Sequence, residues 1–157
     1  MLDQAEILTL LKEKGKVSIK EGSGKIFSLY KGSIAEQEQV AEGIYLLFDL
    51  FQIRTICVSF SEVSLDIVEF ASKPTIYESP ANPMLPKGAV ANGLVRFSLI
   101  REPNWNKLLF QIAQPVLFRV ESGEEATVQT SLLFPLFHSG IKELFLGPEG
   151  EVKIQKG

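Results

Sequence analysis

The sequence is poor in the side chains that most enzymes use for catalysis. Its 157 residues include one histidine, one cysteine and three aspartates, which are His138, Cys57, Asp3, Asp49 and Asp66. Acid–base and nucleophilic catalysis need such groups held beside a partner, and a zinc site needs several ligands at defined spacing. The scatter of these five residues predicts a protein that is not an enzyme and that binds no cofactor and no metal.

The sequence also lacks runs of one charge and long apolar stretches. With a net charge of −3 and no cluster of Lys and Arg, it is poorly suited to a phosphate backbone, so DNA binding is disfavoured. The longest apolar-rich run, residues 43–51, contains Asp49 and is too short to span a bilayer. No signal-peptide pattern is present, and a lone cysteine cannot form an internal disulfide, so we expect a cytoplasmic protein.

What the chain does have is enough apolar material for a folded core. Hydrophobic residues make up 45% of it, and eleven of them are phenylalanine, so disorder is excluded. Changes in composition along the chain predict an α+β protein with two halves. The predicted units are a domain at 1–71, a connector at 72–93 and a second domain at 94–157.

The first domain is predicted from local periodicity and turn residues. A helix with an apolar stripe should end at Gly15, and a β-hairpin should follow over residues 16–31, with its turn at 21–24. The apolar run at 36–51 predicts a second helix, buried on most sides. The β-branched segment 54–60 predicts a strand.

The connector is predicted from its proline and glycine residues. Residues 72–93 hold four prolines and two glycines. Because proline fixes φ and removes a backbone donor, we expect neither a helix nor a central strand here.

The last third has the element order of a winged helix. A strand at 94–100, a helix from Pro103, a second helix at 122–139 and a hairpin over 143–155 follow one another. The second helix would be the recognition helix, and its first turn is acidic and carries no Lys or Arg. We therefore expect it to contact protein rather than DNA. The candidate partner contacts are Trp105, Glu124, Glu125, Gln129, Pro148 and Glu149. For Trp105 we expect a core position first, with a partner contact as the alternative.

Residues 6–60 resemble the PATAN-type domain, a regulatory module of bacterial signalling proteins. The resemblance lies in EILTLLKEKGKVSI, GKIFSLYKGSI, AEGIYLLFDLF and RTICVSF, with the corner Lys31–Ala35 matching a glycine corner of the family. A winged-helix-like unit often follows this module. The resemblance implies a non-enzymatic adaptor that acts through protein contacts.

A second resemblance is to the YrdC-like family of threonylcarbamoyl-adenylate synthases. Pro74-Thr75 matches its Pro-Thr strand, Arg101-Glu102-Pro103 its Arg-x-Pro corner, and Ser122-Gly123 its Ser-Gly. Three other motifs of the family are replaced, by Gln52-Ile53-Arg54, by Arg119-Val120-Glu121 and by Lys20-Glu21-Gly22-Ser23. This resemblance implies a nucleotide- or RNA-related domain without synthase activity.

Three functions follow in order of preference. The first is a signalling adaptor that binds a protein partner, with a second copy of the chain as one option. The second is the diverged YrdC-like domain, binding nucleotide or RNA. The third is a transcription regulator that uses its winged helix on DNA.

Overall fold

The computed structural model describes residues 2–32, 43–58, 60–85, 90–121, 125–137 and 140–156. In these ranges the helices are α1 (Leu2–Lys14), α2 (Ile53–Ile56), α3 (Glu62–Phe70) and α4 (Pro103–Ile112). The strands are β1 (Lys16–Lys20), β2 (Ile26–Lys31), β3 (Ile44–Leu47), β4 (Thr75–Pro80), β5 (Leu94–Leu99), β6 (Val116–Val120), β7 (Val128–Gln129), β8 (Lys142–Leu146) and β9 (Val152–Lys156). Short 3-10 turns lie at Leu50–Gln52 and Pro135–Phe137. None of the described helices is long and apolar enough to cross a membrane.

The described strands form one mixed sheet in the order β7-β1-β2-β6-β3-β5-β4-β8-β9. Pairs β1–β7, β3–β5 and β4–β8 are parallel, and the other neighbours are antiparallel. Strands from 1–71, 72–93 and 94–157 interleave in this sheet. β6, for example, lies between β2 and β3.

Each face of the sheet carries its own apolar core, and helices cover the two faces at different ends. On the first face, α1 and α4 pack over residues that include Val17, Ile19, Phe27, Leu29 and Phe118. On the second face, α2, α3 and the turn at Leu50–Gln52 cover residues that include Tyr45, Val95, Phe97, Tyr77 and Leu146. Because strand side chains alternate between faces, Ile44 and Leu46 belong to the first core, and Tyr45 and Leu47 to the second.

Several local predictions are confirmed. Helix α1 ends before Gly15, whose φ of 77° suits glycine and whose N–H donates to the Leu11 carbonyl at 3.0 Å. The hairpin β1–β2 has its turn at 21–24, and β8–β9 forms the predicted second hairpin. Strand β5 and helix α4 also lie where they were predicted, with Pro103 in the first turn of α4.

The predicted helix at 36–51 and the predicted strand at 54–60 are wrong in the described residues. Residues 44–47 form the central strand β3, and Ile53–Ile56 forms the short helix α2. A strand buried on both faces has a continuous apolar run, which periodicity alone cannot distinguish from a buried helix. Residues 36–42 lie outside the described part of the chain.

The segment 72–93 contains a strand that its prolines were expected to forbid. Strand β4 lies between β5 and β8. Pro74 precedes it, and Pro80 is its last residue, paired with Leu94. The prolines therefore bound the strand and leave the donors of residues 75–79 available for the ladder.

The two-halved fold with a winged helix is wrong. Among the described residues, the last third contributes five strands to the same mixed sheet that holds the strands of the first 93 residues. The predicted helix at 122–139 is replaced, over residues 125–137, by β7 and the turn Pro135–Phe137. Pro135 breaks the helical pattern, and Val128 pairs with Ile19 of β1 instead. Residues 122–124 and 138–139, including Glu124 and His138, lie outside the described residues.

Candidate functional site

A groove made of two adjacent chambers lies where β4 begins and β5 ends. The larger chamber, about 500 Å³, is lined by Glu21, Ser23, Pro74, Glu102, Leu133, Phe134, Pro135 and Phe137. The smaller chamber, about 300 Å³, is lined by Ala71, Ser72, Lys73, Pro74, Leu99, Arg101, Glu102 and Pro135. Pro74, Glu102 and Pro135 belong to both linings, so the two chambers are adjacent, and together they are called the groove.

Four segments that are far apart in the sequence meet at this groove. The turn after β1 supplies Glu21 and Ser23, and Pro74 lies just before β4. Because β4 and β5 are antiparallel, the start of β4 lies beside the end of β5, where Arg101 and Glu102 lead into α4. Residues 133–137 form the remaining wall.

The carboxylate of Glu21 ties two of these segments together. The side chain is 3% exposed. Its Oε1 accepts hydrogen bonds from the backbone N–H of Ser23 at 2.8 Å and of Lys25 at 3.3 Å, and also from the Ser23 hydroxyl. Its Oε2 accepts from the N–H of Phe134 at 3.1 Å. Burial acts to raise the pKa of Glu21, but the bonds from Ser23, Phe134 and Lys25 outweigh it and hold the pKa below its ordinary value.

Aromatic packing fixes the apolar wall of the larger chamber. The ring of Phe134 lies 4.5 Å from Phe27, 5.0 Å from Phe118 and 5.1 Å from Trp105, measured between centroids. Trp105 donates from Nε1 to the carbonyl of Leu133 at 2.9 Å. Leu133 itself is 65% exposed. The chamber therefore has a rigid aromatic floor and an exposed apolar rim.

Two polar residues of the smaller chamber form hydrogen bonds to the backbone of neighbouring helices. Arg101 donates from Nη2 to the carbonyls of Val68 at 2.7 Å and Glu69 at 2.6 Å, near the end of α3. Glu102 caps α4, because its Oε2 accepts from the N–H of Trp105 at 2.9 Å. Lys73 is exposed at the rim. Two cations thus face this chamber, one anchored and one in solvent.

A second polar cluster, on the second face, is internally paired. The Tyr30 hydroxyl accepts from Arg119 Nη2 at 2.7 Å and donates to Glu121 Oε1 at 3.1 Å, and Arg119 also bonds Glu121 at 3.0 Å. Burial acts to raise the pKa of Glu121, but hydrogen bonds from Arg119, Ser28 and Tyr30 hold it below its ordinary value. With its cation and carboxylate bound to each other, this cluster is a weaker candidate for a ligand site than the groove.

The structure does not bring the predicted partner contacts together. Trp105 is 1% exposed and lies in the core, the position that was expected first for it. Gln129 lies on β7, at one edge of the described sheet, whereas Pro148 and Glu149 lie in the turn before β9, at the opposite edge. Glu125, Gln129 and Glu149 are exposed, and their contact with a partner stays a prediction.

Comparison of the sequence with protein-family models and with curated proteins finds no match. Solved structures do match. Full-length HypF, in its phosphate- and nucleotide-bound form, has a TM-score of 0.66 and 15% identity over 97% of this chain and 28% of its own. A H234A/Y235A variant of P. abyssi Sua5 has a TM-score of 0.65 and 10% identity, and the match covers 92% of this chain and 51% of the Sua5 chain. E. coli YciO has a TM-score of 0.68 and 10% identity, and the match covers 99% of this chain and 88% of the YciO chain.

The chain shares the fold of these proteins. It spans about a quarter of HypF and half of Sua5. This likeness agrees with the YrdC-like resemblance of the sequence and not with the PATAN one.

The segments matched to the YrdC-like family separate into two groups. Lys20–Ser23, Pro74-Thr75 and Arg101–Pro103 all lie at or beside the groove. Gln52–Arg54 lies on the turn before α2 and in α2 itself, and Arg54 is exposed and lines neither chamber. Arg119–Glu121 contributes to the paired cluster on the second face.

Sequence reasoning missed the apolar wall of the groove and the role of Glu21. Leu133, Phe134 and Phe137 were assigned to a helix, although a proline inside an apolar run also fits a packed irregular segment. Within the described residues, no group of three or more His, Cys, Asp or Glu side chains is placed to hold a metal ion.

Proposed function

We propose that this chain is a diverged YrdC-like domain that binds a nucleotide in the groove and carries out no synthase reaction. The observation that carries the proposal is the polarity of the groove, which is apolar at one end and cationic at the other. A nucleotide has the same division, since its base is flat and largely apolar and its phosphate is anionic.

The larger chamber suits the base. Leu133, Phe137 and Pro135 offer apolar surface, and the volume of about 500 Å³ lies in the usual range for small-molecule sites. The Ser23 hydroxyl, whose own proton is donated to Glu21, and the Glu102 carboxylate lie at its edge and can accept hydrogen bonds from the amino group of a base.

The smaller chamber suits the phosphate. Lys73 lies in solvent at its rim, and Arg101 is held in place by its bonds to α3. An anchored guanidinium loses little conformational entropy when it contacts an anion, which favours phosphate recognition. HypF, one of the solved structures that share the fold, was itself determined with phosphate and nucleotide bound.

The absence of synthase activity is inferred from the residues that replace the family motifs. The loop matched to the family's Pro-Thr-x-Thr carries Glu21, whose carboxylate accepts the N–H groups of Ser23 and Lys25 and so leaves them no capacity for a substrate. The two other replaced motifs, at 52–54 and 119–121, lie away from the groove.

A mononucleotide is favoured over an RNA strand. Strand binding requires clustered cations that displace counterions along several phosphates. This chain has a net charge of −3, and two glutamates line the same groove as Lys73 and Arg101.

Isothermal titration calorimetry with ATP, AMP and adenosine tests the proposal. We expect AMP and ATP to bind more tightly than adenosine, and ATP to stay unconverted over hours of incubation. Leu133→Asp, which places a charge at the rim of the base chamber, should weaken AMP binding about tenfold or more. Phe110→Asp is the matched control, because Phe110 is 63% exposed on α4 and lines none of the groove.

Three results would overturn the proposal. These are no binding of any nucleotide at millimolar concentration, equal weakening by Leu133→Asp and Phe110→Asp, or tighter binding of a single-stranded RNA oligonucleotide than of AMP. Matching thermal unfolding curves of the two variants would show that both retain the fold.

A further inference from the structure

A separate cavity of about 350 Å³ lies on the second face, between the end of α3 and strands β4 and β8. It is lined by Ile67, Phe70, Ala71, Ser72, Lys73, Thr75, Tyr77, Lys142 and Leu144. Ala71, Ser72 and Lys73 also line the groove, but the remaining residues do not. The cavity therefore adjoins the smaller chamber of the groove at the segment that precedes β4.

The floor of this cavity consists of two cross-strand pairs. In the parallel register of β4 and β8, Thr75 lies opposite Lys142, and Tyr77 lies opposite Leu144. Thr75 and Tyr77 are nearly fully buried, at 6% and 2% exposure. Residues two apart on a strand face the same side, so all four side chains lie on this one face. The floor is thus rigid and does not depend on a loop.

One end of the cavity is cationic. Lys73 and Lys142 are both exposed, and none of the described residues of the lining carries a carboxylate. In the described part of the chain, neither ammonium group forms a hydrogen bond or an ion pair. Two lysines that form no ion pair among the described residues, in a chain whose net charge is −3, indicate local affinity for an anion.

The rest of the cavity is apolar and partly exposed to solvent. Ile67 and Leu144 are half-buried, and Phe70 at the rim is 76% exposed. Ile154 of β9 pairs with Leu144 and extends the apolar surface, at 74% exposure. A ligand that covers these side chains removes apolar area from water, which is favourable.

The end of α3 does not account for the two lysines. A helix C-terminus attracts cations because its last carbonyls are unpaired. Here Arg101 already donates to the carbonyls of Val68 and Glu69. The positive charge of Lys73 and Lys142 is therefore available to a ligand.

We propose that this cavity binds a small anionic amphiphile, with a carboxylate or phosphate head at Lys73 and Lys142 and a short alkyl or aryl body on Ile67, Leu144 and Phe70. Lys73 also lines the phosphate chamber of the groove, but Lys142, Leu144 and Ile67 line neither chamber, so these three residues test this inference apart from nucleotide binding.

Calorimetric titration with a matched set of eight-carbon ligands tests this proposal. Octanoate and octyl phosphate supply the two heads, octanol removes the charge, and octylammonium reverses it. We expect at least one of the two anions to bind, octanol to bind about tenfold more weakly than that anion, and octylammonium not to bind. Binding of octyl phosphate alone, or of octanoate alone, identifies the head.

Variants separate the cavity from general surface binding. Lys142→Gln should weaken binding of the anion about fivefold, the effect of one partly exposed charge pair. Lys153→Gln on β9 removes the same charge from a strand residue that does not line the cavity, and it should leave binding unchanged. Equal affinity for octanoate, octyl phosphate and octanol, equal effects of the two variants, or no binding of either anion at millimolar concentration would each overturn the proposal.

Discussion

Replacing Glu21 with glutamine removes one hydrogen-bond acceptor from the wall of the larger chamber and adds a donor. In the native protein the two carboxylate oxygens accept three backbone N–H groups, from Ser23, Lys25 and Phe134. Glutamine keeps one oxygen, which can serve Ser23 and Lys25. Its amide nitrogen then faces the N–H of Phe134, a donor against a donor.

The expected cost follows from the environment of that N–H. The site is buried, with Glu21 at 3% and Phe134 at 2% exposure, and an unsatisfied buried donor costs about 1–3 kcal/mol. We expect Glu21→Gln to lower the free energy of unfolding by about 2 kcal/mol. For a chain of this length that corresponds to a fall of about 4–8 °C in Tm.

The difference between the two proteins should depend on pH. The pKa of Glu21 in the folded state lies below its ordinary value of 4.5. Its carboxylate therefore contributes stability that is complete above pH 4.5 and is lost as the pH falls through the lower, folded-state pKa. Because the glutamine does not titrate, the gap in unfolding free energy should be largest near neutral pH and should narrow in acid.

Urea denaturation followed by circular dichroism, at neutral pH and at several acidic values, measures both quantities. Glu125→Gln is the control, since Glu125 is exposed and should give a change within about 0.5 kcal/mol. A Glu21→Gln protein as stable as the wild type at neutral pH, or a gap that widens in acid, would refute the account of this carboxylate.

Three further substitutions test other parts of the structure, each by the same denaturation assay. Gly22→Ala should lower the free energy of unfolding by about 1–3 kcal/mol and weaken AMP binding. The reason is that the new Cβ would lie 2.5 Å from the carbonyl oxygen of Ser131, beside the groove wall. Unchanged stability and unchanged affinity for AMP would contradict this. Ala113→Gly should raise the free energy of unfolding by about 0.5–1 kcal/mol, because Ala113 ends α4 at a φ of 60°, which glycine adopts without strain. A loss of stability in this variant would count against that backbone geometry. Tyr45→Phe should leave the free energy of unfolding unchanged or raise it by up to about 1 kcal/mol. The buried Tyr45 hydroxyl has no hydrogen-bond partner in the described residues, and burial raises its pKa to about 12. A fall in the free energy of unfolding by more than about 1 kcal/mol would indicate a partner.

The parts of the fold that local signals determine could be predicted from the sequence. Gly15, the turn at 21–24 and Pro103 each impose a backbone conformation that depends on near neighbours. Accordingly α1, both hairpins and α4 were predicted at the right places. The prolines of 72–93 are local signals as well, but their positions at the two ends of β4 could not be recognised without the strand itself.

Non-local pairing explains most of the failures. Residues 44–47 form a strand because β6 and β5 lie on either side of them, and β6 is about seventy residues away in the sequence. No pattern within 36–51 records this pairing, and the apolar run fits a buried helix equally well. Val128 likewise forms strand only against β1.

The candidate site was predictable in part through the family resemblance. The matched segments at 20–23, 74–75 and 101–103 lie around one groove, which no single segment reveals. The wall at 133–137 could not be predicted, because its conformation depends on tertiary contacts from Glu21 and Trp105.

The most direct test of nucleotide binding in the groove is a map of backbone amide chemical shifts during titration with AMP. The account predicts shift changes clustered at Ser23, Lys73, Arg101, Leu133 and Phe137, which line the two chambers. No shift changes at millimolar AMP, or changes confined to residues outside the groove such as Ile67 and Leu144, would contradict it.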